Sequence, residues 1–183
     1  MKIQVIYSSL SGSTKRLAEG IFNGIKNDNK SIHDLKDGAP TLDGDIILLG
    51  YWVDKGGPNP EMLKFMDTIE NKVVGVFCTL AYFVDSTHAN SSLQKGIDLV
   101  KEKNTVLGSM VCNGKLGDDL IAKFRSAPKG TPHSASPENE LRWELMKNHP
   151  TQAEITLAVE RFNERIDLYN LFQENNLTYK SLT

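Results

Sequence analysis

Hydrophobic and polar positions along the chain fall into two alternating patterns. Short, nearly continuous apolar runs occupy residues 2–7, 45–51, 72–78 and 105–112. A weaker run at 31–35 reads as a short strand at or near a sheet edge. Between these runs the apolar positions recur at helical spacing. Residues 13–26 carry Leu17, Ala18, Ile21, Phe22 and Ile25 on one face. Residues 60–69 open on Pro60, a good first-turn residue, and carry Met62, Leu63, Phe65 and Met66. Residues 85–103 turn Leu93, Ile97 and Val100 inward, and 151–172 do the same with Ile155, Ala158, Val159, Phe162, Ile166 and Tyr169. Continuous apolar strands are expected where helices cover both sheet faces. The alternation therefore predicts an α/β fold, a doubly wound five-stranded parallel sheet with helices on both faces. Ligands in such sheets bind beyond the carboxyl ends of the strands, where the strand order reverses. The loops after Tyr7, Tyr51 and Cys78 are thus the candidates.

One stretch exceeds this minimal plan. Residues 113–150, between the last strand and the last helix, hold a helical pattern at 116–124, the Pro/Gly/Ser run APKGTPHSASP, and a second helical pattern at 138–147 started by Ser136 or Pro137. Long excursions are often functional or mobile, and a packing insertion explains this one equally well. No repeat or linker divides the chain, so residues 1–183 are expected to form one domain.

Composition narrows the class. The chain has 183 residues, 39% hydrophobic and 24% charged, with a formal net charge of −2. This suits a globular protein with a real core and offers no basic patch for nucleic acid. No apolar run approaches a membrane span and no signal peptide precedes the first strand, so a cytoplasmic protein is expected. Cys78 and Cys112 each close an apolar run and are expected as buried or half-buried free thiols rather than a disulfide. No Cys/His spacing suggests a metal.

The first loop carries the most chemistry. The run ends at Ser8-Ser9-Leu10-Ser11-Gly12-Ser13-Thr14, directly before a helix. The free N–H groups and dipole of a helix N-terminus favour an anion, and hydroxyls add donors. Ser and Thr are also ordinary N-caps. With no Lys or Arg inside the loop, a phosphate there is expected to meet neutral donors; Lys15 and Arg16 follow on the helix. No Gly-Lys-Ser/Thr closes a Walker loop, and no G-x-G-x-x-G is present. A receiver domain would need acidic residues where Tyr7-Ser8-Ser9 stand.

SSLSGST after a first strand resembles the flavodoxin phosphate loop T/S-x-T/S-G-x-T, with Ser9, Ser11, Gly12, Ser13 and Thr14 on the pattern and Leu10 in its variable place. The resemblance implies that this loop wraps the phosphate of flavin mononucleotide (FMN). Two further loops match in order. In Tyr51-Trp52-Val53-Asp54-Lys55-Gly56-Gly57-Pro58, Trp52 resembles the aromatic that covers one flavin face. A lone Trp otherwise caps a core. Gly56 and Gly57 resemble the turn beside flavin N5, where a peptide flips to meet the one-electron-reduced ring; which peptide flips is open. In the third loop, Thr79, Leu80, Ala81, Tyr82 and Phe83 stand where flavodoxins supply N–H groups to the flavin edge and a stacking aromatic. Related sequences read T-L-G-A-Y-x-D-S-x-H-A here, which puts Phe83 at the tyrosine and Ala81 at the glycine. Whether Tyr82 or Phe83 meets the ring stays open. Asp85 or Ser86 is expected to cap the next helix, and His88 to serve structure or surface.

The resemblance implies an FMN electron carrier between a reductase and an acceptor enzyme, with no catalytic acid or base. The chain is much less acidic than the well-known short carriers, which argues against generic acidic steering. One alternative is an FMN-dependent NAD(P)H:acceptor (quinone-type) reductase, with the 113–150 stretch as a wall and His133, Arg142 and Trp143 as contacts. Another is a flavin-free scaffold. Oligomeric state is not legible.

Overall fold

The computed structural model describes residues 1–131 and 133–180; Pro132, inside the Pro/Gly/Ser run, and residues 181–183 lie outside it. Five parallel strands form the sheet: β1 (Ile3–Tyr7), β2 (Lys30–Asp34), β3 (Ile46–Asp54), β5 (Val73–Leu80) and β6 (Thr105–Asn113), in the order β2-β1-β3-β5-β6. A two-residue strand, β4 (Gly57–Pro58), turns back antiparallel onto the end of β3. The helices are α1 (Ser13–Gly24), α2 (Pro60–Met66), α3 (Thr87–Val100), α4 (Asp118–Arg125), α5 (Pro137–Met146) and α6 (Gln152–Glu174). The expected five-stranded parallel sheet is present, with β2 on the edge.

Strand alternation sorts the core into two faces. Ile46, Leu48 and Phe77 face α1 and α6, where Leu17, Ile21, Ile155, Ala158 and Phe162 are buried against them. Ile47, Leu49, Tyr51 and Val76 face the other way, against Met62 and Met66 of α2 and Ile97 and Val100 of α3. Of the apolar α2 positions, Met62, Phe65 and Met66 are buried and Leu63 is exposed, because only one stripe of a helix reaches the sheet.

Helix α6 grips α1 closely. A Cβ at Gly20 would overlap Ile155, and one at Gly24 would overlap Val159. Beyond the last turn of α1, buried Asn163 accepts from the Lys26 N–H and donates to the Gly24 carbonyl, both at 3.0 Å. These bonds satisfy groups that a helix end leaves orphaned. The α6 start has a capping box, with Thr151 and Glu154 satisfying each other's N–H groups.

Strand order reverses about β1, which pairs with β2 on one side and β3 on the other. The crevice between the ends of β1 and β3 is therefore the topological switch point.

Phe162 is fully buried and sets its ring edge-on to Phe77, centroids 6.1 Å apart. Phe162→Ala is expected to lower unfolding stability by about 3–5 kcal/mol. The check is a urea midpoint shift at unchanged slope.

Candidate functional site

The three loops picked out from the sequence meet at the carboxyl end of the sheet. In the first, Gly12 takes a left-handed conformation (φ 87) as the N-cap of α1, with no capping side chain. Glycine carries no steric penalty there. Nothing lies within 4 Å of a Cβ placed on Gly12, so the mouth of the loop is open. The N–H groups of the first α1 turn face out of that mouth by helix geometry.

The hydroxyls of this loop have partners inside the protein. Ser9 Oγ accepts from the Lys15 N–H at 3.1 Å, and Ser11 Oγ donates to the Lys115 carbonyl at 2.8 Å. Ser13 Oγ accepts from the Lys115 N–H at 2.9 Å and donates to the His149 carbonyl at 3.3 Å. Thr14, 1% exposed, shares a buried hydroxyl–hydroxyl bond of 2.9 Å with Thr79. Ser8 continues the network inward, accepting from Asn59 Nδ2 and donating to Glu61. Leu10 is 61% exposed.

The second loop is shorter than the sequence suggested. β3 runs on through Trp52, Val53 and Asp54, and the chain reverses at Lys55-Gly56 to pair Asp54 with Gly57 and Val53 with Pro58. Lys55 (φ 48) and Gly56 (φ 77) are both left-handed, which is the type I′ pattern that matches strand twist. The single ladder of two pairs was too short to read from periodicity. Reversing the Lys55–Gly56 peptide makes a type II′ turn, which places Lys55 where glycine is preferred. This turn therefore resists a flip more than a Gly-Gly turn does. Trp52 is half-buried and aligned with Thr79 of β5.

In the third loop, Thr79 and Leu80 are buried, Ala81 and Tyr82 half-buried, and Phe83 is 45% exposed. Thr79 anchors the first loop through Thr14 rather than facing outward. The Tyr82 ring meets Phe83 and His88 edge-on, at 5.4 and 6.1 Å. Ser86, not Asp85, caps α3, accepting from the Ala89 N–H.

The 113–150 stretch packs on this end of the sheet. Besides the Lys115 and His149 contacts with the first loop, Asn113 Nδ2 donates to the Tyr82 carbonyl at 2.5 Å, and the Arg142 guanidinium lies 4.8 Å from the Tyr82 ring centroid. That distance is in the cation–π range. Arg142 thus reaches the third loop. His133 and Trp143 instead stack on Phe124 in a small aromatic cluster of the excursion itself.

A cavity of about 200 Å³ opens beside Ser11, Gly12 and Ser13, and its charged lining is Arg16, Lys115 and Lys147. The loop itself contains no cation, as read from the sequence, and other segments bring cations to its rim. Only Arg16 was visible nearby in the sequence. Lys115 and Lys147 lie far along the chain, and only the folded excursion places them. Among the described residues no group of His, Cys, Asp and Glu is arranged to hold a metal ion, and no helix is long and apolar enough to cross a membrane.

A family model for the flavodoxin domain matches residues 4–163. The chain belongs to the flavodoxin family. Among curated relatives, the flavodoxin-like domain-containing protein BilS of Clostridioides difficile (strain CD3) is 33% identical over 159 residues, covering 85% of this chain and 90% of that protein. BilS of Clostridium symbiosum (strain WAL-14163) is 24% identical over 149 residues, covering 72% and 78%. Among solved structures, a short-chain flavodoxin associated with a non-canonical PDU bacterial microcompartment aligns with TM-score 0.58 at 17% identity, covering 92% of this chain and 99% of that one. Fusobacterium nucleatum flavodoxin bound to flavin mononucleotide aligns with TM-score 0.53 at 16% identity, covering 93% and 97%. These structures share the flavodoxin fold with this chain.

Both cysteines are buried free thiols. Burial pushes the Cys78 thiol up to about 12, and burial with Glu154 nearby raises that of Cys112. Burial and the neighbouring Asp34 raise the Tyr7 phenol to about 12. In each case the folded state holds a proton that the unfolded chain releases at lower pH. Stability from these groups is full below about pH 8.5, the ordinary thiol value, and is lost as pH climbs toward 12. Ellman's reagent at pH 8 is accordingly expected to find no reactive thiol in the native protein, and both cysteines after denaturation in guanidinium.

The Thr14–Thr79 bond gives a second expectation. Thr14→Val leaves the buried Thr79 hydroxyl without that partner and is expected to cost about 1–3 kcal/mol of stability. Thermal melts should show Thr14→Ser retaining most of it.

Proposed function

We propose that this flavodoxin-family chain binds FMN non-covalently and passes electrons between a reductase and an acceptor enzyme. The observation that carries the reading is the convergence, at the carboxyl end of the sheet, of an open mouth at Ser9–Thr14 after β1, the half-buried Trp52 near the end of β3 and the Tyr82-Phe83 pair after β5. The residues fit the cofactor at its phosphate end. Gly12 leaves space, the first α1 turn supplies N–H donors, and the rim is cationic. FMN supplies the redox chemistry when bound.

In this reading the main-chain N–H groups of Leu10 to Thr14 hold the phosphate. The hydroxyls of Ser9, Ser11, Ser13 and Thr14 keep the loop in shape through their bonds to Lys15, Lys115, His149 and Thr79. Trp52 and Tyr82 or Phe83 border the ring and exclude water from it. Val53, Asp54, Lys55, Gly56 and Gly57 form the hairpin beside it, and Thr79, Leu80 and Ala81 lead the third loop past its edge. None of these is asked to donate or take a proton from a substrate.

The second reading, an FMN-dependent NAD(P)H:acceptor reductase, is favoured by Arg142, which α5 brings over Tyr82. A cation there offers a contact for an anionic second substrate.

The test is an absorbance spectrum after incubation with FMN and desalting, followed by anaerobic photoreduction. Retained flavin that passes through a long-wavelength one-electron band supports the carrier. Direct two-electron reduction with NAD(P)H turnover supports the reductase, and no retained flavin overturns both. Trp52→Ala is expected to weaken FMN binding about tenfold, the order of an aromatic contact, and to shift the reduction potentials. Unchanged affinity and potentials remove Trp52 from the site.

A further inference from the structure

We infer that Lys115, delivered by the segment after β6, and Arg16 form a cationic wall that holds the cofactor phosphate as its dianion and selects FMN over riboflavin. The inference rests on the FMN reading above.

The first observation is charge without compensation. The cavity beside Ser11, Gly12 and Ser13 is lined by Arg16, Lys115 and Lys147 and by no carboxylate. Lys147 is paired with Glu144. The Arg16 guanidinium donates to the Asn148 carbonyl, at 3.4 Å, and has no ion-pair partner among the described residues. The Lys115 ammonium has no ion-pair partner among the described residues. Two unpaired cations therefore stand at the positive end of the twelve-residue α1 dipole. Like charges gathered in this way repel one another until an anion sits among them.

The second observation is that Lys115 is built into the rim. Its N–H donates to Ser13 Oγ at 2.9 Å and its carbonyl accepts from Ser11 Oγ at 2.8 Å. The phosphate loop thus clamps the backbone of Lys115 from both sides while the exposed side chain stays free. His149 joins the same rim. It lines the cavity, its carbonyl accepts from Ser13, and Glu154 engages ring Nδ1 at 2.7 Å. The volume, about 200 Å³, has room for a phosphate group. A dianion there gains charge-assisted hydrogen bonds that riboflavin, ending in a hydroxyl, does not make.

The experiment measures FMN and riboflavin dissociation constants by flavin fluorescence for the wild type, Lys115→Ala, Lys115→Gln and Arg16→Ala. The structural bonds of Lys115 are main-chain bonds, so truncating its side chain leaves them in place; melting temperatures check this. Each variant is expected to bind FMN about tenfold more weakly with riboflavin affinity unchanged. Added salt should weaken FMN binding to the wild type more than to Lys115→Ala. Flavin that binds with the same FMN/riboflavin ratio in wild type and variants overturns the wall and leaves the cofactor reading standing. A wild type that binds neither flavin overturns the cofactor reading, and the wall with it.

Discussion

The close approach of α6 to α1 is the constraint on which the rest of this structure depends. Gly20 and Gly24 leave no side chain between the helices, so Ile155 and Val159 press directly against the α1 backbone. Asn163 then bonds across the α1 C-terminus. A helix held along one face and at its far end has a fixed axis. Its N-terminus must therefore open at one place, beyond the end of β1, where strand order reverses. A bulkier residue at either glycine would tilt α1, and the mouth at Gly12 would move with it. Core packing and ligand geometry are thus two consequences of one helix contact.

The same helix links the excursion to the site. The start of α6 lies just after His149, and its capping box ties Thr151 and Glu154 together while Glu154 also holds the His149 ring. The return path of the 113–150 stretch is anchored there, and its outward path is anchored at Lys115 by the serines of the first loop. Between these anchors the stretch has a modest interior of its own, the Phe124, His133 and Trp143 rings. The Arg125–Glu140 ion pair, 2.6 Å at its closest, joins α4 to α5. What looked in the sequence like surplus length between a strand and a helix is a layer laid against the first and third loops.

The sheet was legible because its signals are local and repeated. Runs such as DIILLGY carry both faces of a buried strand, and the inward stripe of α6 recurs over many turns. The phosphate-loop pattern was legible because it is contiguous. The β4 hairpin was not, since two residue pairs leave no period to detect and Lys55 is an uncommon left-handed residue. The cationic rim was hidden for a different reason. Arg16, Lys115 and Lys147 are scattered along the chain, each is an ordinary surface residue in its own segment, and only tertiary packing gathers them. The Thr14 hydroxyl, which the motif aims at an anion, turns inward to Thr79 because both side chains sit under the loop.

Ser11 and Ser13 are bonded to the chain far downstream rather than to solvent. The entropy of ordering the first loop is therefore lost during folding, not at the arrival of a ligand. Loops that close on their ligand give up part of the interaction energy to their own ordering. Here the mouth is preorganised, and an incoming anion meets donors that are already aligned. On the proposed FMN reading, association then requires little rearrangement at the phosphate end, and the slower adjustment falls to the loops that would admit the ring, beside Tyr82 and Arg142.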